Sequence, residues 1–300
     1  MARSRDACAR VIGLGLTVVD HAYLVDRLDA ADERTRYTDR VVSVGGMVAG
    51  ALVQVALLGC RAQLLSVVGD DDDGHRVRRA LRTAGVDTRR LVLSASLPTT
   101  VAVVLVRQRD GARRFLVPFR RGLERRAPTL DLSPIRRGSV LLVDGHFPSQ
   151  AARAVRIAAE RGVPVVGDFN RPTPEVMRLL PHVDFPIVPE EFAEAFTPGR
   201  AADTLRRLRE EFGGQPILTR GARGGVYLDG ARVRRFRAPR VHVRDTTGAG
   251  DAFHGAFAAG LVQGLPLPRN LARAAECGAR CCTRLGGVSA PLTLRAPRSR

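Results

Sequence analysis

Residues 244–257 read Arg244-Asp245-Thr246-Thr247-Gly248-Ala249-Gly250-Asp251-Ala252-Phe253-His254-Gly255-Ala256-Phe257. Two glycines flank an alanine, an aspartate follows, and residues 252–261 are small and apolar enough for a buried helix. A loop of small residues entering a helix leaves several backbone N–H groups without partners. The positive end of the helix dipole adds to their pull on an anion. Asp251 stands at the mouth of that cradle. Two roles fit it: an acidic residue that favours the helix start, or a general base beside a transferring phosphoryl group. The residues alone leave both open.

The rest of the chain narrows the chemistry. Its 300 residues carry a net charge of +18, and every basic residue except histidine is arginine, because lysine is absent. A P-loop needs Gly-Lys-Ser/Thr, a protein kinase needs its strand lysine, and Schiff-base chemistry needs an amine. All three are excluded. The arginines are spread along the whole length, and aromatic residues make up only 5% with no tryptophan, so no stacking platform for nucleic acid is evident. The five cysteines form no Cys-x-x-Cys pair and no zinc spacing. No apolar run reaches membrane length, and residues 11–19 are too short and poorly flanked for a signal peptide, so the expected location is the cytoplasm.

Residues 11–19 (VIGLGLTVV) form an apolar run expected to be one buried strand, ended by Asp20. A carboxylate there is placed to bind ligand in an α/β fold, or serves merely to end the strand. Residues 22–44 alternate without a long helical pattern, and residues 99–119 form a hairpin across Arg109-Asp110-Gly111; together they predict a projecting lid. Gly45-Gly46 leads into an apolar helix over residues 48–58. Asp70 to Asp73 lack the alternate spacing of a calcium loop and instead predict a helix N-cap. From Ser139 onward strands and helices alternate, which predicts a parallel sheet covered on both faces.

Asp245 to Phe253 (D-T-T-G-A-G-D-A-F) resembles the C-terminal signature of the PfkB, or ribokinase-like, carbohydrate kinases, and further similarity runs in family order from Gly13 to Pro291. The resemblance implies a single kinase domain over residues 1–300 with a three-layer α/β/α fold, a mostly parallel central sheet and a small β-strand lid. It implies that Gly248, Ala249 and Gly250 stabilise charge on the γ-phosphoryl group of ATP, and that Asp251 takes the proton from a sugar hydroxyl. Asp20 would grip sugar hydroxyls, and Gly45 and Gly46 would let the sugar approach the backbone. Thr219, Gly221 and Gly224, in a T-x-G-x-x-G run, would line the nucleotide phosphates with Gly250. Asp245, Gly287 and Ser289 would hold a monovalent cation such as K+.

Two departures from the family pattern bear on substrate and metal. The asparagine that many relatives carry four residues beyond the second glycine is Gly50, against ribose as substrate. Pro189 and Phe192 fall where an Asn-x-x-Glu should organise magnesium, leaving Glu190 and Glu191 as substitutes. These features are most similar to the sulfofructose kinase branch. The implied reaction is ATP-dependent phosphorylation of a sugar hydroxyl, on a ketohexose or its anionic derivative. Arg36, Arg120, Arg121 and His146 are the groups expected to meet an anionic substituent. The alternatives are a nucleoside or neutral-sugar kinase, a non-catalytic sugar or nucleotide sensor, and a nucleic-acid binder, ranked last. The expected partner is the small sugar, with neither nucleic acid nor membrane, and a homodimer through the lid.

Overall fold

The computed structural model describes residues 10–28, 35–118 and 127–286. Its main sheet has 10 strands. At its heart β1 (Arg10–Leu14) lies parallel between β4 (Arg61–Gly69) and β9 (Ser139–Val143). Beyond β9 the parallel run continues through β10 (Val165–Asp168), β11 (Phe185–Pro189) and β12 (Ile217–Thr219). The short strands β5 (Val86–Asp87) and β6 (Leu91–Ser94) pair with β4, and β13 (Gly225–Asp229) and β14 (Arg232–Phe236) close the other edge as an antiparallel pair.

The apolar runs of β1 and β9 carry no alternation because both of their faces are covered. Successive side chains of a strand point to opposite faces, and the core divides accordingly. Val11, Leu64 and Leu142 pack with α1 (Met47–Leu57), α2 (Asp72–Thr83), α7 (Ala249–Val262) and α8 (Leu267–Cys281). Ile12, Leu65 and Leu141 pack with α3 (Pro148–Glu160), α4 (Pro174–Leu179), α5 (Glu190–Phe196) and α6 (Ala201–Phe212). The result is the three-layer arrangement.

A second sheet of four strands lies in the order β3 (Tyr37–Gly45), β2 (Val18–Val25), β7 (Thr100–Arg107), β8 (Arg113–Leu116). Here the structure differs from the single strand expected over residues 11–19. The run breaks at Gly15-Leu16-Thr17: the Leu16 N–H donates to Asp144 Oδ2 (2.9 Å), and Gly15 lies so close to that carboxylate that a Cβ would collide with it. Asp144 thereby diverts the chain out of the main sheet, and Asp20 sits inside β2 instead of ending the first strand.

The aspartate cluster works as a cap. Asp71 Oδ1 accepts from the Gly74 N–H (2.8 Å) at the start of α2 and from the Thr99 hydroxyl (2.6 Å), while Oδ2 accepts from the Thr99 N–H (2.8 Å). One side chain thus caps a helix and pins the chain entering β7. Asp71→Ala should cost about 2 kcal/mol of stability, the loss of a cap plus tertiary hydrogen bonds. Urea unfolding measures it; a loss within experimental error would show that the loop holds itself.

Candidate active site

The carboxyl ends of β1, β9, β10 and β11, the lid sheet and the start of α7 enclose a cleft of about 620 Å³. Its lining includes Asp20, Gly46, Met47, Arg113, Phe115, His146, Asp168, Asn170, Thr219, Gly248, Gly250 and Asp251. Strands of an open α/β sheet present their carboxyl ends to ligand in this way.

Gly248 opens α7 in the left-handed region (φ 73), and no side chain caps the helix. The Ala249 N–H is taken up by Thr246 O (3.3 Å) and the Ala252 N–H by Gly248 O (2.8 Å). Among the described residues nothing accepts from the N–H groups of Gly250 and Asp251. These are the orphan donors of a helix start, and they lie where Gly248 and Gly250 meet the cleft. Burial raises the Asp251 carboxyl well above the usual range, and the negative charge of Asp168 raises it further; Arg113 opposes both.

Asp20 reaches the cleft from β2 across Gly45, where any Cβ would strike its carboxylate. Gly46, with φ 97, brings the chain equally close to Leu16 O before α1 begins. Burial, then the charge of Asp245, lifts the Asp20 pKa from 3.8 to about 6 despite Arg113. His146 sits with Nδ1 3.1 Å from Asp144 Oδ1, and that carboxylate raises the imidazole pKa. Beside it Phe147 is in the left-handed region (φ 55), a strained conformation of the kind that clusters at functional sites.

Other expected residues stand elsewhere. Arg36 is exposed and does not line the cleft. Glu190 is paired with Arg220 (2.9 Å) and Arg223, and Glu191 faces a separate pocket with Arg171 and Thr173. Gly221 and Gly224 shape the turn after β12, whose Thr219 does line the cleft. Asp245 is fully buried, accepting from Thr247 N–H and Gly286 N–H (both 2.8 Å). Gly287, Ser289, Arg120 and Arg121 lie outside the described residues.

Four residues of the cleft lining escaped the sequence reading. Arg113 and Phe115 alternate along β8 and so share its cleft face, with the guanidinium 5.4 Å from the ring centroid. Asp168 ends β10 and Asn170 follows two residues later; a carboxylate at the carboxyl end of a parallel strand was the available signal.

A family model described as "pfkB family carbohydrate kinase" matches residues 9–293. The chain belongs to this family. Among similar PfkB-type proteins, the aminoimidazole riboside kinase of Salmonella typhimurium is 29% identical over 268 residues, 82% of this chain and 84% of the relative. Fructokinase-1 of rice (Oryza sativa subsp. japonica) is 31% identical over 278 residues, 83% of this chain and 85% of the relative. The fold matches that of Arabidopsis thaliana ribokinase complexed with ribose and ATP, with a TM-score of 0.78 at 21% identity, covering 95% of this chain and 96% of that one. The chain is therefore an ATP-dependent sugar or nucleoside kinase of the PfkB family. Among the described residues no helix is long and apolar enough to cross a membrane.

An acid whose pKa is raised by folding stabilises the fold fully below its unfolded value, and that contribution is lost as pH rises through the folded value. For Asp20 the window runs from 3.8 to about 6. Asp20→Asn should therefore match wild type near the lower limit and exceed it at neutral pH by up to about 3 kcal/mol. Urea unfolding at the two pH values checks this, and a difference that does not change with pH would contradict it.

Proposed function

We propose that this kinase phosphorylates a hydroxyl of a ketohexose or of an anionic derivative of one. The observation that carries the reading is the meeting of Asp251, the open N–H groups of α7 and Asp20 in one cleft. Asp251 removes the hydroxyl proton as the oxygen attacks the γ-phosphorus of ATP. A base with a raised pKa holds that proton better than an ordinary carboxylate. The Gly248–Gly250 segment receives the charge that spreads over the phosphoryl oxygens, and Thr219, Gly221 and Gly224 line the path of the nucleotide phosphates. Asp20 accepts hydrogen bonds from substrate hydroxyls, which fixes the attacking group near its target.

The position where ribokinases place an asparagine is Gly50, buried inside α1, so no polar side chain extends from it. Together with fructokinases among the relatives, this supports a ketohexose. The basic side chains that line the cleft are Arg113 and His146, and a guanidinium on the lid would suit a sulfonate, phosphate or carboxylate through paired hydrogen bonds. This is the sulfofructose kinase-like reading.

Magnesium supplies charge neutralisation to the triphosphate in such kinases. Among the described residues no cluster of three ligating side chains would hold it, and Glu190 is committed to Arg220 and Arg223. We expect the ion to arrive with ATP, held chiefly by phosphates and water. A K+ requirement would place the ion beside Asp245. The exposed apolar side chains Tyr37, Leu116 and Val117 on the lid support a homodimer through that sheet.

Asp251→Asn should lower kcat about 10²–10⁴-fold while leaving the thermal shift produced by ATP in place. Near-normal kcat would remove Asp251 from the base role. Arg113→Ala should cut kcat/KM for fructose 6-phosphate roughly ten- to a hundredfold more than it cuts kcat/KM for D-fructose, the loss of one charge-assisted contact. A wild-type enzyme that prefers D-fructose to its 6-phospho and 6-sulfo analogues would leave the neutral ketose as substrate.

A further inference from the structure

The aspartates that serve the fold are satisfied by backbone N–H groups. Asp71 accepts from Gly74 and Thr99, Asp144 from Leu16 and His146, and Asp245 from Thr247 and Gly286. Asp168 is different. It is 4% exposed, yet its Oδ2 atom is buried and accepts no hydrogen bond. A buried carboxyl oxygen without a partner costs stability, so a structural role does not account for it.

Its neighbours leave it unpaired in a directed way. His254, one turn into α7, places Nδ1 2.7 Å from Gly250 O and 3.3 Å from Asp168 Oδ2, with Nε2 3.4 Å from Ile187 O. Taking the shorter of the two carbonyl contacts as the hydrogen bond assigns the imidazole proton to Nδ1. Burial lowers the His254 pKa to about 4, so the ring is neutral and its only N–H is spent on Gly250. The imidazole therefore backs Oδ2 without neutralising the carboxyl group, and the other oxygen, Oδ1, is the one that the cleft reaches. Burial and the charge of Asp144 push the Asp168 pKa up in turn.

The next residues complete the pattern. Phe169 turns into the core with no exposure, whereas Asn170, two residues on, joins Asp168 in the cleft lining. The Asn170 amide touches Met47 Sδ (3.3 Å), a weak acceptor that a ligand oxygen would readily replace. One strand end thus offers a carboxyl oxygen and an amide donor side by side, the complement of neighbouring hydroxyls on a sugar.

We propose that Asp168, with Asn170 beside it, is a specificity-determining hydroxyl site, distinct from Asp20 and from the base Asp251. Resting on the sugar-kinase reading of the cleft, it requires a polyol that presents at least three hydroxyls at once: one to be phosphorylated, one to Asp20 and one to Asp168. A site with a buried polar group left open rejects analogues that lack the matching hydroxyl far more strongly than an apolar pocket would.

The experiment has an activity arm and a stability arm. For Asp168→Ala, kcat/KM with ATP and D-fructose should fall roughly ten- to a hundredfold, mainly through KM. Among the monodeoxy-D-fructoses, one should be a correspondingly poor substrate of the wild type, and Asp168→Ala should no longer discriminate against it. For Asp168→Asn, which keeps the shape and folds even if the alanine variant does not, Tm should equal or exceed that of the wild type, whereas Asp144→Asn should lower it. Retention of kcat/KM within twofold in Asp168→Ala, or a Tm loss in Asp168→Asn as large as in Asp144→Asn, overturns the proposal. If the wild type consumes ATP with D-ribose and not with D-fructose, the ketohexose reading fails, and the same comparison on D-ribose and its deoxy analogues decides the role of Asp168. The stability arm stands whichever sugar is used.

Discussion

Four carboxyl groups, those of Asp20, Asp144, Asp168 and Asp251, crowd one end of the sheet, and their burial and mutual repulsion are the constraint that the surroundings answer. Each answer is different. Asp144 is satisfied by the Leu16 and His146 N–H groups and so serves as an anchor that bends the chain from β1 into the lid. Asp20, Asp168 and Asp251 are driven toward the protonated form, first of all by burial. Arg113, brought over the cleft by the lid, offsets part of that cost at both Asp20 and Asp251. The lid is thus electrostatically tied to the base as well as sterically placed above the sugar. Its removal or reorientation would change the basicity of Asp251 along with access to it.

Much of this was legible in the chain. The apolar runs of β1, β9 and β10 give away a sheet buried on both sides, and the small residues after Asp245 give away a helix start open to an anion. The sequence marks Asp251, Asp20, Gly45, Gly46, His146 and Thr219, and the structure brings Asp251, Asp20, Gly46, His146 and Thr219 into one cleft lining, with Gly45 pressed against Asp20. Local pattern sufficed there because each feature is a property of one strand end or one loop.

What pattern could not supply is long-range. The division of residues 11–19 into two strands depends on Asp144, more than a hundred residues away, and hydrophobicity alone cannot reveal a partner at that distance. Strand β14 (RVRRF) was hidden by its arginines, which are tolerable only because an edge strand has a solvent face. Glu190 and Glu191 sit near the motif position for magnesium, but the turn after β12 brings Arg220 and Arg223 onto Glu190. Arg36 precedes the glycine pair in sequence, yet the register of β3 against β2 carries the two apart along a strand: Gly45 pairs with Val18 at one end, Tyr37 with Val25 at the other.

The arginine-only composition shows why location outweighs number. Many of the arginines form exposed pairs one helical turn long, such as Arg206 with Asp203, Arg207 with Glu211 and Arg280 with Glu276, each worth only a few tenths of a kcal/mol. They lend charge and solvation without defining a site. Arg113 is exposed too, but it differs because its charge acts on Asp20 and Asp251, carboxyls whose burial in the cleft already raises their pKa. In a chain of net charge +18, the cation that bears on chemistry is Arg113, which lines the cleft and whose charge acts on both Asp20 and Asp251. A neutral sugar leaves Arg113 facing those acids, whereas an anionic sugar would compete with them for it. The charge of the substrate and the basicity of Asp251 are therefore coupled through one side chain.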